Sequence, residues 1–488
     1  MDLVFVQSGL LEKFLDTDVI AAAEVASLLR RRGVRDGAPV FLDENTQMPL
    51  LPLCEYGKYL ATALLDESTL KDYGRVLGRL DNHLADLGSD VLSATETDLI
   101  SYRSHRTQSQ EKPIGASAWG KESFVLDDFY GFLVSRKFLS RRPVRLAARG
   151  RNALAPRVRS SMDIRHLTFD QYRYFRDVGL GGQLANSQVD STFRGWSPLR
   201  DRAGADIALG SGTRWREWST LLLPEVGLWP GMPGGAAEFV VQACAKYGKA
   251  RTVYVPKDAT ASADLFCLLE RPDIVRRAAQ TLERKARDLF VVSKVDTAGG
   301  CVRGILDGVV REFQISAMPP KLRRAAVFEG KFGLEALSLF VCRGGLMPGA
   351  DAWKGYRHRA WTRMNALADE TTPHLPTRRW RWHDLRHTYA LRLLAYLENI
   401  MDGSESDVHA RRRRHRSYLT GHIRHNPLLI VSRRLGHANP ETTYQYLQYT
   451  DDLINEFEAA FSSWVSDDEV TYAEMASDAM AGANAGRR

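Results

Sequence analysis

Apolar residues recur every three or four positions through the first third of the chain, which is the spacing of helices with one buried face. In residues 68–88, "STLKDYGRVLGRLDNHLADLG", the apolar positions are Leu70, Tyr73, Leu77, Leu80 and Leu84. In residues 122–139 they are Val125, Phe129, Phe132 and Leu133. The pattern predicts a compact domain of four or five helices over residues 53–140, after an N-terminal appendage, 1–52, that is rich in turn residues.

The remainder of the chain mixes helical patterns with one predicted hairpin. Two β-rich runs, 238–245 and 251–256, flank a turn at Gly248. Residues 257–380 are weakly patterned, and we expect them to be mostly helical. The fold class that follows is mainly α with a small β-hairpin, an α+β arrangement.

Composition excludes several classes of protein. The chain has 488 residues, of which 44% are hydrophobic and 26% charged, as in ordinary globular proteins. We expect neither a signal peptide nor a membrane span, because no basic leader and no long apolar run is present. The five cysteines have no paired spacing, which indicates free thiols in a reducing cytoplasm and excludes a cysteine zinc site; they are Cys54, Cys244, Cys267, Cys301 and Cys342.

The formal net charge of +8 is unevenly distributed. Residues 136–159 contain nine basic residues and no acidic one. This run includes most of a predicted linker, 141–162, between the helical domain and a larger domain, 163–450, and an acidic tail follows at 451–488. On composition alone, the basic run is either a solvated linker or a strap along a phosphate backbone.

The segment "RWHDLRHTYALRLL", residues 381–394, allows two interpretations. On a helix, His383 and His387 share a face and could hold a metal ion, whereas His383 and Arg386 share a face that suits a phosphate. Asp384 stands where the zinc-protease pattern has a longer glutamate, and Arg386 would oppose a cation. No third ligand follows at helical spacing, so the sequence favours the phosphate.

Two further segments carry residues of the same chemical type. "LRDRAGADIALGSGTRWRE" places Arg214 after Gly212, with Glu217 three residues on, a pair that is usually a surface ion pair. "LGHANPETTYQY" places His437 after a Leu-Gly turn and Tyr446 nine residues later. In this order, the segments resemble the tyrosine recombinase (phage integrase) family, whose signature is Arg, Lys, His-x-x-Arg, His or Trp, and Tyr.

The resemblance extends from about Leu53 to Tyr446. It implies a core-site DNA-binding domain at 53–140 and a catalytic domain at 163–450 that together clamp DNA. "AKYGKARTVYVP" resembles the lysine hairpin of the family and points to Lys246, with Lys249 as the nearest rival. The implied active-site set is Arg214, Lys246, His383, Arg386, His437 and Tyr446, with His387 as a structural neighbour and Tyr444 and Tyr449 as fallback nucleophiles.

These residue types suit the breakage of a phosphodiester without a metal ion or a cofactor. Guanidiniums can neutralise the phosphorane, and a phenol can conserve the bond as an ester. In the resemblance Tyr446 attacks with His383 as base, and Lys246 protonates the leaving 5′ oxygen. The linker then becomes a DNA-contacting strap through Arg141, Arg142, Arg145, Arg149, Arg151, Arg157 and Arg159.

Two features depart from the family pattern or stay open. An arginine-rich insertion at 402–427 is either a solvated loop or an added DNA contact; its His422 and His425 lack the Thr-Thr-x-x-Tyr that follows His437. The tail either folds onto its own domain or docks on a neighbouring protomer, through an apolar stripe of Leu453, Phe457, Phe461 and Trp464.

The sequence thus predicts a cytoplasmic, DNA-associated site-specific recombinase, more typical of an integrase or transposase of a mobile element than of a chromosome-dimer resolvase. The predicted partners are a duplex recombination site, further copies in a homodimer to homotetramer, and an accessory directionality factor. Alternatives are topoisomerase-like relaxation of DNA, a catalytically silent DNA-binding regulator of the same fold, and a metallohydrolase.

Overall fold

The structure is a computed structural model in which the chain forms two compact units, residues 1–161 and 162–488. It describes residues 1–7, 35–63, 65–144, 146–147, 151–156, 164–232, 234–403, 427–437, 441–444 and 446. Within these ranges, no helix combines the length and the apolar character that a membrane span requires. The predicted domain boundaries stay predictions.

The first unit is a set of helices with a small strand pair. Strands β1 (Asp2–Phe5) and β2 (Pro39–Leu42) are antiparallel and pack on the helical core. The α-helices are α1 (Leu51–Thr62), α2 (Glu67–Asp86), α3 (Glu96–Ser104) and α4 (Ala116–Ser135). A two-residue strand pair follows, β3 (Leu146–Ala147) with β4 (Arg151–Asn152). The helical pattern of the sequence is confirmed, since Leu77 and Leu80 of α2 and Phe129 and Leu133 of α4 are buried.

The second unit begins with helices that lead to the predicted hairpin. They are α5 (Phe169–Arg173), α6 (Pro198–Ser211) and the single turn α7 (Trp215–Trp218). Strands β5 (Ala237–Val241) and β6 (Arg251–Val255) form the antiparallel hairpin that the sequence predicts. The first strand ends four residues earlier than predicted, because residues 242–245 already leave the extended conformation ahead of the 3₁₀ turn Lys246–Gly248, in which Tyr247 has a φ of +63°.

A five-stranded sheet occupies part of the segment that we expected to be mostly helical. Helices α8 (Lys257–Leu269) and α9 (Arg271–Arg284) agree with that expectation. The sheet then consists of β7 (Phe290–Asp296), β8 (Cys301–Leu306), β9 (Val309–Gln314), β10 (Ala326–Gly330) and β11 (Gly333–Ala336), with the short helix α10 (Pro320–Ala325) before β10. Its order is β11-β10-β7-β8-β9, with β10 parallel to β7 and the other pairs antiparallel.

The expectation of a mostly helical segment was therefore wrong for residues 290–336. Strand β9 has exposed apolar residues, Val309 and Val310, whereas β7 and β10 contribute side chains to two separate small cores, one of which includes Leu282 of α9. Such strands show neither a continuous apolar run nor a clean alternation, and their pattern is weak in the sequence. The wider α+β fold class is confirmed by the elements of both units.

The last four helices carry the candidate site, and the first two of them contribute to an aromatic core. They are α11 (Ala350–Ala366), α12 (Trp382–Gly403), α13 (Pro427–Leu435) and α14 (Glu441–Tyr444). Trp218 and Trp353 meet edge to face with ring centroids 4.7 Å apart, and Trp382 packs against both. Because Trp218 ends α7 and Trp382 begins α12, this core sets two segments of the site side by side.

Candidate active site

Arg386 is the residue around which the separate segments of the site meet. It lies on the first turns of α12, and only 2% of it is exposed. Its Nη1 donates to the carbonyl oxygen of Gly212 at 2.7 Å, and its Nη2 donates to that of Leu435 at 2.5 Å. One guanidinium therefore joins the end of α6, the start of α12 and the end of α13.

Gly212 supplies its carbonyl from a conformation that side chains rarely adopt. Helix α6 ends at Gly212, whose φ of +59° and ψ of +18° lie in the left-handed region. A Cβ there would meet Cδ1 of Tyr389 at 2.1 Å. Glycine thus allows α6 to end directly against α12, with the next residues turning toward Arg386.

Arg214 lies at the start of α7 and is bound to a buried carboxylate. Glu217, 2% exposed, accepts from the backbone N–H of Arg214 at 2.7 Å and contacts its Nη1 at 3.4 Å. The same carboxylate accepts hydrogen bonds from both terminal nitrogens of Arg251, which lies on strand β6. The pair of Arg214 and Glu217 is therefore part of a three-residue network around a buried carboxylate and not an ordinary surface ion pair.

Tyr446 has its hydroxyl in the same region. The residue is 1% exposed, and its oxygen lies 2.9 Å from Nδ1 of His387. The ring of His437 is stacked parallel to the Tyr446 ring, with centroids 6.3 Å apart, and its Nδ1 lies 2.8 Å from Oγ1 of Thr443. Two imidazoles from different segments therefore flank the phenol.

His383 is the more exposed member of the histidine pair on α12. Its ring meets the buried ring of His387 edge to face, with centroids 4.7 Å apart. Among the residues that the structure describes, no group of three or more His, Cys, Asp or Glu side chains is arranged to hold a metal ion. His383 is thus in edge-to-face contact with the imidazole that lies in hydrogen-bond distance of the Tyr446 hydroxyl.

Burial and positive charge keep the imidazoles neutral. Desolvation, together with the positive charges of neighbouring basic groups, lowers the pKa of His387 to about 3 and that of His437 to about 3. Displacement of water by neighbouring protein atoms, followed by the charges of Arg386 and Arg214, lowers the pKa of His383 to about 4. At neutral pH, each imidazole therefore has a ring nitrogen that can accept a proton or a hydrogen bond.

The same forces act in opposite directions on the phenol. Burial raises the pKa of Tyr446 to about 12, although Arg386 and Arg214 act against that rise. Burial also lowers the pKa of Arg386 to about 9, with Arg214 the next cause, so that it stays charged at neutral pH. A protonated phenol between neutral imidazoles and two guanidiniums is a set that can bind an oxyanion and transfer a proton.

The structure brings five of the six predicted active-site residues into one region: Arg214, His383, Arg386, His437 and Tyr446. Lys246 is on the exposed turn of the hairpin, where its Nζ lies 4.9 Å from the centroid of the Tyr247 ring. Its predicted role as proton donor stays a prediction. The rival Lys249 is also exposed on this turn.

Of the predicted DNA-contacting linker, two side chains are described. Arg141 is exposed, and Arg142 is paired with Asp127 of α4 at 2.5 Å. Arg151 lies in β4, and its side chain is not described. Outside the described residues lie Arg145, Arg149, Arg157 and Arg159, most of the 402–427 insertion with His422 and His425, the apolar stripe of the tail, and Tyr449; for Tyr444 the backbone alone is described.

Sequence reasoning missed the contacts of His387 and Arg251. His387 was expected to be a structural neighbour, yet it makes the hydrogen bond to Tyr446. Arg251 is in the quoted hairpin segment, two residues after Lys249, and the resemblance assigned a role to the lysines of that segment alone. A charged residue at the first position of a strand with buried Val253 and Val255 was the available signal.

Comparison with known proteins gives matches by structure alone. No family model matches the chain, and no curated protein sequence matches it. Similar solved structures include the XerH site-specific recombinase bound to palindromic difH substrate (12% identity, 93% of this chain and 92% of that chain, TM-score 0.43). The Tn1549 transposon integrase in complex with circular intermediate DNA has 13% identity over 80% of this chain and 92% of that chain, with a TM-score of 0.42.

The XerA recombinase is a further match, at 14% identity over 82% of this chain and 95% of that chain, with a TM-score of 0.28. The sequence motifs resemble those of tyrosine recombinases, and the similar solved structures are recombinases and an integrase.

Proposed function

We propose that this protein cuts and rejoins double-stranded DNA through a covalent 3′-phosphotyrosine at Tyr446, as a site-specific recombinase of the tyrosine recombinase kind. The observation that carries the proposal is the hydrogen bond between the buried Tyr446 hydroxyl and His387, with Arg214 and Arg386 close enough to oppose the rise that burial causes in the phenol pKa. A nucleophile beside a proton acceptor and two fixed cations is what attack on a phosphodiester requires.

The proposed reaction exchanges one phosphate ester for another. The Tyr446 oxygen bonds to phosphorus while Arg214 and Arg386 neutralise the non-bridging oxygens. Among the described residues, the guanidinium of Arg386 gives two of its five N–H donors to backbone carbonyls, and we assign the phosphate to its remaining donors. The bond from phosphorus to the 5′ oxygen then breaks, and the 5′ hydroxyl of a partner strand reverses the step without ATP.

Two protons move in this step. Lys246 gives one to the departing 5′ oxygen, from a hairpin turn whose exposure leaves it free to approach DNA. The phenol proton passes to a neutral imidazole, and His387 is the one in hydrogen-bond contact. Histidines with pKa values near 3 are weak bases, but the negative charge of a bound phosphate offsets the arginines and raises those pKa values.

The biological setting that we propose follows from the sequence. The partner is a duplex recombination site, two to four copies act together on it, and a directionality factor selects the direction. Integration or transposition of a mobile element accounts for the length and the basic insertion of the chain.

The test is the formation of a covalent adduct in EDTA. Short nicked duplexes that tile the genomic DNA on either side of the gene are incubated with the protein, and the products are separated on a denaturing gel. We expect an adduct with wild type and with Tyr444→Phe and Tyr449→Phe, and none with Tyr446→Phe. Adduct formation by Tyr446→Phe would contradict the proposal. So would the absence of the wild-type adduct in EDTA if the adduct forms without EDTA.

A supercoiled plasmid carrying the same site separates recombination from the topoisomerase alternative. Strand exchange between two sites supports the recombinase, whereas relaxation without exchange assigns the same phosphotyrosine chemistry to a topoisomerase. A comparison of His387→Ala with His383→Ala then shows which histidine is the general base. The variant that lacks the proton acceptor should have the lower cleavage rate.

A further inference from the structure

Arg251 is the third guanidinium of the site and has no role in the reaction proposed above. It is the first residue of β6, and its side chain is 9% exposed. Its Nη1 donates to Oε1 of Glu217 at 2.9 Å, and its Nη2 donates to Oε2 of the same carboxylate. The two ends of this guanidinium are thus occupied by protein, so that Arg251 acts on the reaction through Glu217.

Glu217 depends on Arg251 to remain ionised where it lies. Burial of the carboxylate raises its pKa, and Arg251 is the strongest opposing influence, followed by the N–H of Arg214 and the charge of Arg386, so that the net pKa is lowered. A buried carboxylate without a bidentate cation would be protonated or would move. Arg251 therefore determines whether Glu217 can hold Arg214.

The contacts of Glu217 fix Arg214 at two points. Oε2 accepts from the Arg214 backbone, which starts α7, and Oε1 contacts its Nη1. The Arg214 side chain is 25% exposed, so that part of its guanidinium faces solvent while the rest is held by Glu217. A small change in Glu217 would be transmitted directly to the guanidinium that has to meet a phosphate oxygen.

A second, independent contact places Arg251 against the His437 segment. Gly436 has a φ of +63°, and a Cβ there would lie 2.7 Å from Cδ of Arg251. The preceding residue, Leu435, gives its carbonyl to Arg386, and the following residue is His437. The aliphatic part of the Arg251 side chain consequently packs against the turn at Gly436. This turn carries the Leu435 carbonyl and His437 on either side.

We propose that Arg251 is a positioning residue that orients Arg214 through Glu217. The inference rests on the proposed function, because its effect is measured in the cleavage step. In this proposal Arg251 does not touch the phosphate. Its two terminal nitrogens bind the Glu217 carboxylate, which in turn binds Arg214. Since the arginine clamp acts on the transition state, loss of Arg251 should slow cleavage more than it weakens DNA binding.

The experiment measures single-turnover cleavage of a nicked duplex and, separately, the Kd of the uncleaved duplex. Arg251→Gln should lower the cleavage rate about 10- to 100-fold and change the Kd by less than about threefold. Arg251→Lys should fall between wild type and Arg251→Gln, because an ammonium can pair with Glu217 but cannot form the fork. If Arg251→Gln does not fold, Arg251→Lys decides the result.

A matched control distinguishes the loss of Arg214 positioning from the general effect of removing a buried ion pair. Arg271 is also buried and contacts a carboxylate, Glu335, at 3.1 Å in the same unit but outside the site. Arg271→Gln, compared at equal concentrations of folded protein, should cleave at the wild-type rate. An equal loss in Arg271→Gln, or a wild-type rate in Arg251→Gln, would overturn the inference.

A sulfur substitution identifies the residue through which Arg251 acts. A 5′-bridging phosphorothiolate has a leaving group that needs no proton, so it should restore cleavage by Lys246→Ala. It should leave the Arg251→Gln defect in place, since the clamp on the non-bridging oxygens is still impaired; restoration of that variant would refute the assignment to Arg214. Absence of any adduct with wild type would overturn the proposed function together with this inference, whereas an adduct with an unaffected Arg251→Gln rate would overturn the inference alone.

Discussion

Gly212→Ala places a methyl group at the point where α6, α12 and the Arg386 guanidinium meet. The new Cβ would lie 2.1 Å from Cδ1 of Tyr389, well inside van der Waals contact, and Tyr389 is buried three residues after Arg386 on α12. Either the ring or the backbone at residue 212 has to move. A shift of residue 212 would carry its carbonyl away from Nη1 of Arg386, which it now contacts at 2.7 Å.

The destabilisation has two parts of comparable size. Alanine at a φ of +59° costs about 1–2 kcal/mol relative to glycine. Forcing a methyl into the packed contact with Tyr389 costs about 1–3 kcal/mol more. Together they lower the free energy of unfolding of the second unit by about 2–5 kcal/mol.

Gly308→Ala is the matched control in the same unit. Gly308 has a φ of +73°, but nothing lies within 4 Å of the position that a Cβ would take there, so that this variant should show the conformational part alone, about 1–2 kcal/mol. Urea unfolding followed by tryptophan fluorescence measures both variants. Cleavage should fall in Gly212→Ala and be retained in Gly308→Ala. Equal losses of stability in the two variants would refute the proposed steric clash.

The remaining predictions concern the hairpin, the histidines and a buried ion pair. Lys246→Ala should change the free energy of unfolding by less than about 0.5 kcal/mol, because the side chain is exposed, yet slow cleavage about 10²–10⁴-fold in the adduct assay. His387 and His437 have folded-state pKa values of about 3 against 6.5 in the unfolded chain, so protons bind the unfolded state first. The free energy of unfolding, measured by urea titration, should be fully present above pH 6.5 and decline as the pH falls toward 3; a flat profile would contradict their burial as neutral rings. Glu225→Gln should cost about 3–5 kcal/mol of unfolding free energy, because it leaves the Arg323 guanidinium, 3% exposed, without its carboxylate; a loss below about 1 kcal/mol would mean that the buried charge finds another partner.

The helical faces of the first unit could be predicted because their information is local. Leu70, Leu77 and Leu84 repeat at helical spacing, and burial follows once any partner surface covers that face. The hairpin was predictable for the same reason, with its turn at Gly248. The five-stranded sheet was not, because its short strands are half exposed and obtain their order from pairing partners that are distant in sequence, as in the contact of β7 with β10.

The candidate site also has features that the sequence predicts and features that it does not. The order and spacing of Arg214, the His383-x-x-Arg386 pair, His437 and Tyr446 could be read from the chain, and they indicated the chemistry. The partners of these residues could not be read, since Arg386 contacts carbonyl groups 174 and 49 residues away and Glu217 is held from 34 residues away.

The amino-acid sequence by itself therefore determined the candidate reactive groups, the helical periodicity and the position of a hairpin. The tertiary structure decided that His387 holds the Tyr446 hydroxyl, that Arg251 holds Glu217, and that residues 290–336 form a sheet. The physical reason is that spacing along a chain sets which side chains share a face of one element. Contacts between elements depend on packing, which local periodicity does not encode.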